Sequence, residues 1–490
     1  MRSVQGSPWL ILVGLLVVCV AGCGGGKNST KPGSDTEAPA RVTDLYGEAE
    51  GMTSIRLTWT AVGDDSMAGQ AASYDIRYAT NLGVTWDRMT QVSNEPEPRS
   101  AAEAESLSVT GLPASTLCQF LLKVLDNAGN TSALSNLAAV TTLGSEEDQH
   151  WWGGFAAAPH GQGIDGSVYA LAPFGSDLIA AGRFTRAGGI SANNIARWDG
   201  SSWSPLGSGM NGSVVALAEY DGALVAGGPF TKADGGPAMY LAFWYGGHWV
   251  PPPEALDGPV AALGIYEGDL MVGGGFTRAG DQVVNHIARW DGTWSSLGPG
   301  VDDWVKAMTV HEDRLIAGGY FTQAGGDTAV NIAAWDGASW SPVGRGTPGP
   351  NSSSSGVLAL AVHEGALFAG GSFQEIGGTP AYFVARWDGL QWEEISGLGA
   401  SGTDNPGIFA LTVFDGALIA AGRFQHAGTE NAYHIARLRG YYWSSLGSGI
   451  GARDDPAGLA LAVLQGRLFV GGNIQSAGNR PSYGIARWDP

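Results

Sequence analysis

Polar and apolar side chains alternate in short runs along most of the chain, and beyond the N-terminal apolar run none of it repeats at helical spacing. Ser54-Ile-Arg-Leu-Thr-Trp59, Ser73-Tyr-Asp-Ile-Arg-Tyr-Ala79 and Ser106-Leu-Ser-Val-Thr-Gly-Leu112 put apolar residues at every second position, the period that turns one face of a strand toward a core. Five to seven such runs are expected over residues 39–143. Farther on, the pattern Val-x-Ala-Leu-Ala begins at Val168 and returns at Val214, Val260, Val305, Val357, Ile408 and Leu459, 45–52 residues apart. Each return continues with an apolar run ending in small residues, such as Leu178-Ile-Ala-Ala-Gly182. Phe-Thr-x-Ala-Gly-Gly, Asn-Ile-Ala-Arg-Trp-Asp-Gly and Ser-Trp-Ser-x-Leu-Gly follow. That is four short strands per unit, and one such unit cannot bury both faces alone, so neighbours must stack around an axis.

The seventh unit stops one strand short, at Ala486-Arg-Trp-Asp-Pro490. Trp151-Trp-Gly-Gly-Phe155, ahead of the first unit, has the pattern of the missing strand. These patterns predict an all-β protein: a sandwich over 39–143, a linker over 144–150, and a seven-bladed β-propeller over 151–490. The last blade takes its outer strand from the N-terminal end, which removes the open edges of a linear array. Within a unit, Trp198 and Trp203 flank Asp199-Gly200-Ser201-Ser202 and are expected to face each other across a hairpin. Trp244/Trp249, Trp335/Trp340, Trp387/Trp392 and Trp290/Trp294 repeat this arrangement, with Leu438/Trp443 as a variant.

Composition sharpens this picture. Glycine supplies 77 of 490 residues, tryptophan 18, and charged residues only 15%, a composition of strands and tight turns. A net charge of −20 argues against nucleic acid as partner, because phosphate binding needs a basic surface. The acidity is read as a solubility feature.

Arg2 precedes an apolar run, Trp9 to Ala21, that is short for a membrane span and placed like the core of a secretory signal. It ends in Val20-Ala21-Gly22-Cys23, which resembles the lipobox of bacterial lipoproteins. That resemblance implies removal of residues 1–22, diacylglycerylation of the Cys23 thiol, and a flexible Gly/Ser/Thr/Lys/Pro tether over 23–38. Gly24 points toward the outer membrane. Of the three cysteines, Cys19 leaves with the signal and Cys23 carries lipid, so Cys118 has no disulfide partner and no zinc-type cysteine spacing is possible.

The segment 39–143 resembles a fibronectin type III sandwich, with its Leu112-Pro113 corner and the ending Lys123 to Ser132. It departs from that family at Cys118, where a corner tyrosine is usual, and has no Arg-Gly-Asp tripeptide; it is read as a spacer. The order of a Gly-Gly strand, a Trp-Asp turn and Trp-x-x-Leu resembles the Kelch family of propeller repeats, in a bacterial variant with Gly-Gly-x-Phe-Thr-x-Ala-Gly-Gly. This resemblance covers 151–490 and implies a fold rather than one function.

Candidate chemistry is sparse. Ala226-Gly-Gly228 and Val272-Gly-Gly-Gly275 lack the following helix that a phosphate cradle needs, and are read as close approaches of adjacent blades. His311 and His363 share a slot with Phe174, Tyr220, Tyr266 and Phe414, and His286 and His434 share another with Asn194 and Tyr240. Residues that alternate with aromatics fill space, so no metal is assigned. Arg197, Arg289, Arg386, Arg437 and Arg487 recur in the third strand and are read as scaffold anchors, with an interblade hydrogen bond as the expected role. Three connections between blades are long, Arg345–Gly356, Ser396–Gly407 and Ser448–Gly458, and their face is the candidate ligand surface. Asp165, Asn211, Asp257 and Asp302 each lie three residues before an inner strand and suit turns. Asp302, Asp303, Trp304, Asp404, Asp454 and Asp455 form the candidate site.

Copper and sialidase chemistry lack their residues here, a serine-hydrolase elbow lacks the strand-to-helix turn it needs, and no cofactor is implied. The expectation is a monomeric, non-catalytic binding or scaffolding lipoprotein of the bacterial cell envelope, attached to the membrane by lipid and taking a protein or glycan ligand. Its rival is a carbohydrate-active enzyme in which Asp302, Asp404 and Asp455 converge. If Cys23 carries the anchor, Cys23→Ala moves the protein from the membrane fraction to the soluble one on cell fractionation. Unchanged retention would refute the anchor.

Overall fold

The computed structural model describes residues 36–65, 69–81, 83–156, 162–346, 355–399, 406–452 and 460–490. The signal segment, Cys23 and most of the tether lie outside these residues.

The first domain is a sandwich of seven strands: β1 (Tyr46–Gly51), β2 (Ser54–Thr60), β3 (Ser73–Ala79), β4 (Thr90–Gln91), β5 (Ala104–Thr110), β6 (Leu117–Leu125) and β7 (Ala138–Thr141). They form two sheets, β1-β2-β5 and β4-β3-β6-β7. The alternating pattern does what period two requires: Ile55, Leu57 and Trp59 from one sheet meet Tyr74, Ile76, Phe120, Leu122 and Val124 from the other in a single core. Trp59 meets Tyr74 edge to face with centroids 5.1 Å apart. Cys118 is buried in that core and unbridged, and burial pushes its thiol pKa up. The corner is tied by another hydroxyl: Thr142 Oγ1 donates to Pro113 O at 2.6 Å and accepts from Thr116 N at 3.0 Å.

In the second region the first unit comprises β8 (Ser167–Phe174), β9 (Asp177–Arg183), β10 (Arg186–Ala187), β11 (Ile190–Ser191), β12 (Ile195–Trp198) and β13 (Trp203–Pro205). The main sheet runs β13-β12-β9-β8, and β10-β11 is a separate small hairpin. The sequence pattern anticipated the four main strands; the Phe-Thr-x-Ala-Gly-Gly stretch forms the additional hairpin. Five more units repeat the four-stranded order, and the seventh contributes only three strands. Innermost strands pack side by side around the series, and that of the seventh unit packs on β8 of the first.

Two contacts recur between units. In five of the units a glycine near the end of the second strand faces the Val or Ile that opens the next inner strand. A methyl group added at Gly227, Gly273, Gly318, Gly370 or Gly471 would collide with Val260, Val305, Val357, Ile408 or Val168 respectively. The last of these pairs joins the seventh unit to the first. Second, the outer-strand tryptophan donates its indole N–H to a carbonyl of the segment before it. Trp203 Nε1 bonds Gln162 O at 2.7 Å, Trp249 bonds Leu206 O at 3.0 Å and Trp294 bonds Glu254 O at 2.9 Å. Trp340 bonds Leu297 O at 2.8 Å and Trp392 bonds Val343 O at 3.2 Å. Trp443 of the sixth unit is buried with its Nε1 unpartnered.

The seventh unit draws this tryptophan from the N-terminal side. Trp151 is fully buried and pairs with Trp488 in an antiparallel bridge, as Trp203 pairs with Trp198. Its indole donates to Leu446 O at 3.2 Å. The segment differs from the sequence expectation in one respect. Only Trp151 bridges, and Gly153–Phe155 coils into a 3₁₀ turn. That turn drives Phe155 among Trp198, Trp203 and Phe469, while the Arg487 guanidinium stacks 3.9 Å from the centroid of Trp152. The seventh repeat also starts earlier than the Leu459 expectation: Ala460 pairs with Gly471 as Ala216 pairs with Gly227.

The residue before every third strand has a left-handed backbone. Asn194, Tyr240, His286, Asn331, Phe383, His434 and Gly484 have φ between 64° and 72°. Six non-glycine residues accept a conformation that usually costs an L-residue about 1 kcal/mol, so the turn into the third strand is imposed by the packed unit.

Trp151→Ala is expected to lower the melting temperature by several degrees, since removing a buried tryptophan costs about 3–5 kcal/mol. Trp151→Phe should lose only about 1 kcal/mol, near the worth of one neutral hydrogen bond. Differential scanning calorimetry distinguishes the two, and an unshifted melt for the alanine variant would exclude closure through this residue.

Candidate functional site

The four polar residues before the inner strands act as clamps. Asp302 Oδ1 accepts the backbone N–H groups of Thr322 and Gln323 at 2.7 and 2.8 Å, and Oδ2 accepts the Thr322 hydroxyl at 2.6 Å. Asp165 holds Thr185 and Arg186 in the same way, and Asp257 holds Thr277 and Arg278. Asn211 does so with Thr231 and Lys232. Burial raises the pKa of the three aspartates, but the hydroxyl and backbone donors outweigh it and hold each below the usual carboxylate range. Asp302, which the sequence places in the candidate surface, is thus held in its own loop with both oxygens engaged. Where the first four units carry threonine, the last three carry Gln374, Gln425 and Gln475. In units six and seven the preceding connection becomes a strand: Leu398–Gly399 pairs with His426–Ala427, and Ile450–Ala452 pairs with Ile474–Ala477. Asp404, Asp454 and Asp455 lie outside the described residues, with the middle of all three long connections.

Asp303 and Trp304 do come together with other side chains. Trp304 lies over Gly275 of the preceding unit, and Tyr320 lies over Gly356 of the next. Lys306 reaches between the two rings, its Nζ 4.1 Å from the Trp304 centroid and 5.7 Å from that of Tyr320, a distance at which the ring quadrupole attracts a cation. Burial lowers the Lys306 pKa against the opposing charge of Asp303, and burial followed by the same charge raises that of Tyr320. Lys306 occupies a β-bulge between Val305 and Ala307. The same bulge holds Tyr169, Ala261, Leu358 and Phe409 in other units. Phe409 carries Arg423 5.7 Å from its centroid. Sequence reading found Trp304 but missed Lys306, Tyr320, Phe409 and Arg423. For Lys306 and Phe409 the available signal was the variable residue x in Val-x-Ala-Leu-Ala, which changes in size and charge while its neighbours stay constant.

The remaining candidates are structural. Asp199 Oδ1 accepts the backbone N–H groups of Ser201 and Ser202 at 2.8 Å, so the Ser202 and Ser201 donors hold its pKa well below the ordinary value. Trp198 faces Trp203 across the turn with centroids 5.3 Å apart. Arg197 pairs with Asp177, Arg289 with Asp269 and Arg386 with Glu393, all within one unit. Arg437 reaches the linker residue Glu147. The arginines thus anchor strands and linker rather than bridging adjacent units. His311 Nε2 donates to Gly365 O of the next unit at 3.0 Å, and Tyr266, in the same slot, donates its hydroxyl to Asp313 O at 3.1 Å. Among the described residues there is no group of three or more His, Cys, Asp or Glu placed to hold a metal.

No protein-family model matches the chain. Chitinase A1 of Niallia circulans is 32% identical over 114 residues, 23% of this chain and 14% of that protein. Exoglucanase B of Cellulomonas fimi is 35% identical over 117 residues, 24% of this chain and 9% of that protein. Calcium-activated chloride channel regulator 1 of Sus scrofa is 31% identical over 118 residues, 22% of this chain and 13% of that protein. The chain thus spans about a seventh or less of these relatives. Among solved structures, an Fn3-like protein from Clostridium thermocellum is 21% identical, with 22% of this chain and 95% of that one covered at a TM-score of 0.17. The fn3 domain of human contactin 1 is 17% identical, with 25% and 92% covered at 0.18. The first domain is fibronectin type III-like, an assignment carried by its own three-plus-four strand order. Around it the chain is all-β, with only three short 3₁₀ turns among the described elements.

The clamps generate a test. Asp302→Ala should cost about 1 kcal/mol, at the modest end because the carboxylate is exposed, read as a lower denaturation midpoint. Because the folded pKa values are depressed, the clamps stabilise above the unfolded aspartate pKa of about 3.9. That contribution is lost as pH falls through the folded values. An Asp165→Asn, Asp257→Asn, Asp302→Asn triple variant should show a shallower loss of stability below about pH 4, and an identical acid melt would refute the clamp.

Proposed function

We propose that the seven units form a Kelch-like β-propeller closed by Trp151, and that the protein is a lipid-anchored, extracytoplasmic binding or scaffolding protein without catalysis. The ring of packed inner strands and the repeated indole bonds support the propeller. The observation that carries the binding reading is a division of labour among the side chains. Chemistry that recurs from unit to unit is engaged in holding the units together, whereas aromatic and charged groups that break the repeat, such as Trp304, Lys306 and Tyr320, gather at the face of the unit-to-unit connections. Rigid scaffolds present binding residues on such faces. Asp302 stays ionised with its oxygens engaged, whereas a glycosidase acid must hold a proton through a raised pKa. This favours binding over the enzyme reading. A glycan is the favoured ligand class, supported by the chitinase and exoglucanase among the relatives.

A glycan array probed with the intact chain tests the reading, with chromatography of the supernatant for released products. Retention on a defined set of glycans without product is expected. Product release would replace this reading with the enzyme, and silence across the array would remove the glycan.

A further inference from the structure

We infer that, given the glycan-binding reading above, the ligand is an uncharged oligosaccharide lying across units five to seven on Tyr382, Tyr433 and Tyr483. These three residues occupy one repeat position, immediately before the left-handed residues Phe383, His434 and Gly484. In units one and three the position holds asparagines whose amides serve the scaffold: Asn193 Nδ2 donates to Ser208 O at 3.0 Å and Asn285 Nδ2 to Pro299 O at 2.9 Å. Unit two has Met239 and unit four Val330. Only the last three units, which also have the long connections and the glutamines, place tyrosine here. The side chains stay open to solvent, 53%, 45% and 37% exposed in order along the chain.

Two clefts adjoin this arc where the ring meets the first domain. Tyr433 lines one of about 900 Å³ together with Glu430, Asn431 and Asn479. Tyr483 lines the other, of about 540 Å³, opposite Tyr46 and the edges of β1 and β7. The hairpin bearing Ser476 and Asn479 lies between them and lines both. Domain junctions are common ligand sites, and a few convergent polar groups beside aromatic surface set orientation there. A pyranose ring fits this chemistry, with C–H groups against a tyrosine face and hydroxyls toward amides and carboxylates. Charge decides the class of sugar. Arg437 is held by Glu147 at 2.5 Å and Arg480 by Glu48 at 3.7 Å, and these are the arginines lining the two clefts among the described residues. Both cations face carboxylates, and Glu430 adds another negative charge, so an acidic sugar is disfavoured.

Isothermal titration of the intact chain with cellohexaose, chitohexaose and hexagalacturonate tests the inference, alongside Tyr382, Tyr433 and Tyr483 changed singly to Ala and to Phe. A neutral hexasaccharide should bind, and hexagalacturonate should not. Each alanine should weaken binding about three- to tenfold, as expected for removal of one aromatic contact, while each phenylalanine stays close to the parent. Thermal melts confirm that these exposed positions leave folding intact. If the triple alanine variant binds like the parent while Trp304→Ala abolishes binding, the arc is refuted and the binding reading stands. Preference for hexagalacturonate refutes the uncharged ligand. Failure of every hexasaccharide refutes the inference, and silence on the glycan array as well refutes the reading beneath it.

Discussion

An indole N–H reaching back to a carbonyl of the preceding segment joins one repeat to the next in most of the series. Each such bond is worth only about 1 kcal/mol, but it directs a bulky side chain into the gap between two sheets. Its inner counterpart is the small residue opposite a valine or isoleucine, where two backbones come too close for a further methyl group. Outer indole and inner glycine together set the tilt and separation of neighbours. Once both repeat, the series curves until Gly471 meets Val168. The missing outer strand of the seventh unit leaves one indole to be supplied, and Trp151 supplies it from the segment that leaves the first domain. This contact is covalently continuous with the linker, so packing Trp151 against the seventh unit also fixes where that linker docks.

Docking of the linker follows from buried polar chemistry. Asp148 is fully buried, and its carboxylate accepts from Gly144 N, Ser145 N, Ser448 N and the Ser448 hydroxyl. A buried charge is tolerable only when its acceptor capacity is met in this way. Glu147 adds the ion pair to Arg437, and Glu48 of the first domain meets Arg480. The two domains consequently share a polar seam, whose incompletely filled space forms the two clefts.

The same accounting explains where function is to be sought. Repeated aspartates, arginines and histidines bind backbone or one another, and a group engaged in holding its own corner has little freedom to contact a ligand. Asp302 resembled a ligand group in the sequence because an exposed acid at a loop and a carboxylate clamp have the same one-dimensional signature. Lys306 and Tyr382 were overlooked for the opposite reason. Each sits in an ordinary strand or turn context, and its departure shows only when the equivalent positions of all seven units are compared.

Much of the architecture was legible because it rests on short-range pattern. Period-two runs marked the strands, Trp-Asp-Gly marked the hairpin, and spacing marked the units and the missing strand. The sequence by itself determined an all-β chain with a sandwich, seven repeated units and an N-terminal segment suited to complete the last. Tertiary structure decided which groups meet across repeats: that Trp151 alone bridges while Phe155 turns inward, that Thr142 ties the corner Cys118 leaves open, that Asp302 clamps Thr322, and that Trp304 shelters its own lysine. Apart from the Trp304–Lys306 contact, these choices depend on distances between residues from 20 to 337 positions apart, and such distances exist only when the units have packed and water has left the gaps between them.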